Sequence, residues 1–261
     1  MPPGDLAIII PARNEAVLIS ATTRAALTLA GADIVVVVDD GSTDETASLA
    51  AAAGAHVVRH ARNRGKAAAM ETGAEAVRLI ESAAAGAVVT GTGPRHLLFL
   101  DADLAESAVA AGPLADPVRA GTADMTIAVF TTRVRKGGFG VVTTAAGAGI
   151  EFATGWRPAQ PLNGQRCLTR AAFTAALPLA RGWGVETGMT IDLLRKGLRI
   201  TEVDVPLSHR ATGNDWQAQV HRLRQLADVT TALAVRAPAT WRPGRGESAH
   251  TDRVRSGRMR S

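Results

Sequence analysis

The sequence predicts an α/β protein whose mostly parallel sheet is flanked by helices. Three observations predict it. The apolar runs "LAIII" (6–10), "DIVVVV" (33–38) and "HLLFL" (96–100) are short and continuous, the pattern of strands buried on both faces. Helical stretches separate them. The polar clusters "PARNE", "DDGSTDE" and "DAD" all fall just after such runs, at the carboxyl edge where open α/β sheets bind ligands.

Taken in order, "LAIII" is the first strand and Glu15 to Ala30 the first helix. "DIVVVV" is rich in β-branched residues and precedes a helix from Ser42 to Ala53. "HVVRH" is a short third strand, Gly65 to Ala84 a long Ala-rich helix and "HLLFL" the fourth strand. The second half is less regular. "ADMTIAVF" reads as a strand, "RVRKGGFG" as a mobile basic loop hinged at Gly137, Gly138 and Gly140, and Val141 to Ala153 as a helix. "GQRCL" reads as a short strand, and Arg170 to Ala176 as a helix. Glu186 to Arg195 is a helix stopped by Gly197, and "LRITEVDVPLSHR" is extended. A last helix, capped by Asn214 or Asp215, runs to about Val235.

Composition narrows the class. The 261 residues are 46% hydrophobic, enough for one sizeable core, and the single Cys167 permits no internal disulfide. No apolar run reaches the roughly 18 residues of a membrane span. With no basic leader before "LAIII", the expectation is a cytoplasmic protein. The net charge of +5 resides in the tail: Arg236, Arg242, Arg245, Arg253, Arg255, Arg258 and Arg260 face only Glu247 and Asp252. The tail, rich in Arg, Pro, Gly and Ser, is expected to be disordered. The rest of the chain is neutral and the protein has no Tyr, which argues against a nucleic-acid partner. The tail is a candidate for peripheral contact with an anionic membrane, which liposome flotation of full-length and tail-deleted protein would test.

Asp101 and Asp103 end a buried strand one residue apart. In extended chain they point to one side and repel unless a cation lies beside them. Hard carboxylate oxygens there suit Mg²⁺ or Mn²⁺ bridging a ligand's phosphates; the plain alternative is a solvated strand end or helix cap. Asp39 and Asp40 end the second strand, where one could face a nucleobase or ribose. Ser42 with Glu45 reads as a capping box. Asn14 could cap the first helix and Glu15 complement its dipole. Asn63, Arg64, Gly65 and Lys66 open a helix, where amides and a lysine suit phosphate.

These motifs in this order, "IIIPARNEA", "VVVVDDGSTDET", "NRGKAAAMETG" and "LLFLDADL", resemble family 2 type glycosyltransferases with the Rossmann-like GT-A fold. The resemblance implies a nucleotide-sugar donor, with a UDP-sugar the expected one, contacted by Pro11, Ala12, Glu15, Asp40, Gly65, Lys66, Asp101 and Ala102. It also implies a divalent cation on Asp103. The later segments "LNGQRCLTRAAF" and "GWGVETGMTIDLLRKGLRITEVDVPLSHR" are also similar in motif order to glucosyl-3-phosphoglycerate synthases, whose late histidine completes the metal site and points to His209. The "DDGS" segment departs from the acidic–serine–acidic pattern of those synthases. Gly164, Gln165 and Arg166 form a polar turn that could reach acceptor. Glu186 is the candidate base in an inverting transfer, or an acceptor contact in a retaining one.

The division expected is a nucleotide-sugar-binding half (1–105), a smaller acceptor-binding half (106–235) and the tail (236–261). The acceptor is left open between polyprenyl phosphate and a small phosphorylated or hydroxylated metabolite. A nucleotidyltransferase or a non-catalytic nucleotide-binding module are the alternatives. The former usually has a glycine-rich loop that "PARNEA" lacks, and a dehydrogenase would need a G-x-G-x-x-G after the first strand.

Overall fold

The computed structural model describes residues 5–85, 94–131, 140–207, 227–236 and 253–254. Its first part runs β1 (Leu6–Ala12), α1 (Ile19–Leu27), β2 (Ala32–Asp39), α2 (Thr46–Ala52), β3 (His56–Arg59), α3 (Lys66–Ala85) and β4 (His96–Phe99). A 3₁₀ segment (Ala105–Leu114), α4 (Asp116–Arg119), β5 (Met125–Phe130), α5 (Gly140–Thr154) and β6 (Arg166–Leu168) follow. The order ends with α6 (Arg170–Ala175), α7 (Val185–Arg195), β7 (Ile200–Val205) and the two-residue β8 (Arg253–Val254). Residues 227–235 are also helical. The sheet order is β3-β2-β1-β4-β6-β5-β7-β8. Every pairing is parallel except those of β6, which runs antiparallel between β4 and β5.

Side chains alternate across the strands, so each strand feeds two layers. Leu6, Ile8, Ile10, Val35, Val37 and Leu98 pack under α1 and the 3₁₀ segment. Ala7, Ile9, Val36, Val38, Leu97 and Phe99 pack under α3, α6 and α7. Each buried aliphatic side chain contributes about 1.5–3 kcal/mol of transfer free energy. Phe99 stacks on Phe173 of α6 with centroids 5.4 Å apart. A smaller cluster joins α5 to the 227–235 helix through Val142, Ala146 and Val229, and Ile150 and Ala153 meet Ile191 of α7.

Three local expectations are corrected. The first helix begins at Ile19 rather than Glu15, because the Glu15 amide donates to Thr46 Oγ1 at 2.8 Å and holds the preceding loop out of helical geometry. Asn14 does not cap it; this residue is left-handed (φ 55°) and its side chain accepts from the Thr43 amide at 2.9 Å. The Ser42–Glu45 capping box does not form. The second helix starts at Thr46, whose amide donates to Asp44 Oδ1 at 3.1 Å, while Ser42 Oγ accepts from the Asn14 amide. The 3₁₀ segment and α4 were not anticipated, since "AESAVAAGPL" has no helical periodicity and carries Gly112 and Pro113.

The proposed caps Asn214 and Asp215, the glycine-hinged loop apart from Gly140, and His209 lie outside the described residues. So does the tail beyond Arg236, β8 excepted. Among the described residues, no helix is long and apolar enough to cross a membrane.

Candidate active site

The carboxyl ends of β1, β2 and β4 converge, and their loops are tied to one another. Asn14, Glu15 and Ala16 donate backbone amides to Ser42 Oγ, Thr46 Oγ1 and Asp44 Oδ2 at 2.9, 2.8 and 3.2 Å. Asp39 Oδ1 accepts from the Ser42 amide at 2.8 Å, and Asp39 pairs with Arg59 at 3.1 Å. Asp40, 5% exposed, takes the Arg64 amide on Oδ1 and the Gly65 amide on Oδ2, both at 2.8 Å. His60 lies 2.7 Å from Asp40 Oδ1 through Nδ1 and 3.0 Å from Thr72 Oγ1 through Nε2. Asp40 therefore shapes the turn that delivers Lys66 to the first position of α3.

Lys66 is the centre of the site. Its ammonium lies 2.8 Å from Asp101 Oδ1 and 2.8 Å from Glu186 Oε1. Burial opposes its charge, but the two carboxylates outweigh burial and hold the ammonium above the ordinary lysine range. Gln165 Nε2 donates to the other Asp101 oxygen at 2.7 Å. Gly164 lies directly over this pair: a Cβ there would fall 2.4 Å from Lys66 Nζ and 2.8 Å from Asp101 Oδ1. Asp101, after β4, and Glu186, in α7, thus share one cation, the Lys66 ammonium.

The structure brings together Lys66, Asp101, Glu186, Gly164 and Gln165 from the expected set. Pro11 is half-buried; Ala12 and Ala102 are 4% and 5% exposed and belong to the core layer below. The Ala12 carbonyl accepts the Asp40 amide at 2.8 Å. Arg166 corrects the expected acceptor contact. It is 1% exposed, and its guanidinium donates to the carbonyls of Pro161, Asn163 and Glu186 and to Thr190 Oγ1. Burial pushes Arg166 down to about 10, so it stays cationic at neutral pH and braces the 161–166 turn against α7. Sequence reasoning missed His60, whose place just after "HVVR" at the ligand edge was the available signal.

No group of three metal-ligand side chains converges among the described residues. The donor chemistry nevertheless fits a hard divalent cation at Asp103. Asp101 serves Lys66 and Gln165, and Asp103 is part-exposed on the turn after β4.

The sequence profile of Glycosyl transferase family 2 matches residues 7–174. The chain belongs to this family. Among its family relatives, glycosyltransferase AglJ of Haloferax volcanii is 30% identical over 221 residues, covering 82% of this chain and 66% of that protein. Glucosyl-3-phosphoglycerate synthase of Mycobacterium tuberculosis is 29% identical over 203 residues, covering 72% and 60%. The match thus spans about two thirds or less of these curated relatives' length. The crystal structure of that synthase with phosphoglyceric acid superposes with a TM-score of 0.68 at 26% identity, over 89% of this chain and 80% of that one. Its complex with Mg²⁺ and UDP gives 0.67 at 25%, over 89% and 79%. The sheet with its flanking helices is the Rossmann-like GT-A fold of that synthase.

Proposed function

We propose that the chain transfers a sugar from a UDP-sugar to an acceptor hydroxyl or phosphate oxygen with a divalent cation, Mg²⁺ or Mn²⁺. The observation that carries this reading is the Asp101–Lys66–Glu186 bridge at the carboxyl edge of the sheet. The similar synthase crystallised with Mg²⁺ and UDP supports the choice of nucleotide and metal.

Asp103, with His209 as the expected second ligand, would hold the cation, which would supply charge neutralisation for the leaving diphosphate. Lys66 contributes a positive charge at the same edge, tethered on one side by Asp101, which Gln165 holds. As negative charge grows on the leaving group, Lys66 can turn toward it and release Glu186. In an inverting transfer Glu186 then takes the proton of the attacking acceptor hydroxyl, whose oxygen bonds the anomeric carbon as the bond to the diphosphate breaks. Asp40 binds no ligand in this scheme; it holds the turn that places Lys66.

Calorimetric titration of UDP, GDP and dTDP with and without Mn²⁺ tests the reading. UDP should bind only with metal, Asp103→Ala should abolish that binding, and Glu186→Gln should keep it while lowering turnover about 10²–10⁴-fold. Metal-independent binding, or none to the wild type, would sink the proposal.

A further inference from the structure

From the geometry we infer that Thr22, a residue of α1 remote from every sequence motif, is the positioning residue for the turn that carries Asp103. The inference rests on the function proposed above. Thr22 is 0% exposed. Its hydroxyl donates to the Ala102 carbonyl at 2.8 Å and accepts from the Ala105 amide at 2.8 Å. The two bonds bracket Asp103 and Leu104, closing a ring from the helix around the turn. Ala105 is left-handed at φ 49°, a conformation that non-glycine residues keep only when their surroundings impose it. Ala102 and Leu104 are anchored in the layer packed by α1, at 5% and 2% exposed. Asp103, between them, is carried on a backbone that the hydroxyl holds on both sides of the turn. One oxygen can do this because it donates once and accepts once; valine fills the same space and does neither.

Outer partners that orient metal ligands typically change metal affinity by about 10–100-fold when removed. The test compares Mn²⁺-dependent UDP binding by calorimetry in wild type, Thr22→Val and Thr22→Ser, with the urea midpoint of each. Thr22→Val should weaken binding at least about tenfold at a temperature where it is fully folded, and Thr22→Ser should stay within about threefold of wild type. A Thr22→Val protein that binds within about threefold of wild type, whatever its urea midpoint, overturns the inference and leaves the proposed function standing. Wild type without metal-dependent binding overturns both. Should Thr22→Val not fold, hydrogen exchange at the Ala105 amide of wild type decides. UDP and Mn²⁺ together should slow it at least about tenfold, and an unchanged rate refutes the coupling.

Discussion

Gly164 shows how much a missing side chain can specify. A methyl group there would meet the tip of Lys66 at 2.4 Å and Asp101 Oδ1 at 2.8 Å. The tip of a lysine can swing aside, so the fold should tolerate the change, but the ammonium would leave the position between Asp101 and Glu186. Gly164→Ala is expected to lower kcat/KM for sugar transfer by about 10²-fold with a urea midpoint close to wild type. A large stability loss with unchanged kcat/KM of the folded fraction would show that the close approach is only packing. At this scale the sequence was legible where charge type sufficed: Lys66, Asp101 and Glu186 were all singled out and all meet. It was illegible where the role depends on what stands opposite. Arg166 reads as part of a polar turn that could reach acceptor and Asp40 as a nucleotide contact, and only the fold shows which carbonyls and amides they satisfy.

At the scale of elements, α3 lies close enough to β1 that Gly73 has no room for a Cβ. It would fall 2.4 Å from Ile9 Cγ2 and 3.3 Å from Val38 Cγ2, both on β-branched side chains buried in the sheet. Unlike the lysine tip, these groups cannot rotate away. Gly73→Ala should therefore cost about 1–3 kcal/mol, read as a lowered urea midpoint with an unchanged m-value; a gain in stability, from the better helix propensity of alanine, would contradict the close packing. The long periodic or continuous elements were readable to within a few residues, β1 to β4 and α3 among them. The starts of α1 and α2 were not: the amides of residues 14–16 bind side chains of the 42–46 loop about 30 residues away and delay α1 to Ile19, while α2 begins at Thr46, whose amide binds Asp44.

For the molecule as a whole, Cys167 is a built-in reporter. It sits in β6, 0% exposed, and burial pushes its thiol up from 9.0 to about 12. The native thiol stays protonated where an unfolded one ionises. The unfolded chain then binds fewer protons, so this group's stabilisation is complete below pH 9 and is lost as pH rises from there toward 12. At pH 8 a thiol reagent should label native protein only through opening of the sheet, and the rate should climb steeply near the urea midpoint. Rapid labelling in buffer would mean that β6 detaches locally.

The placement of β6 also sets an order of events in time. Residues 166–168 lie between β4 at 96–99 and β5 at 125–130, so the sheet cannot close in the order in which the chain is made. As a ribosome extends the polypeptide, β4 has β1 on one side and an open edge on the other until some 65 further residues have emerged. Inserting the antiparallel strand joins the two halves of the sheet and, in the same step, brings Gly164 and Gln165 over Asp101. The junction between the two parts of the sheet and the seating of Gly164 and Gln165 over Asp101 are therefore made in a single step.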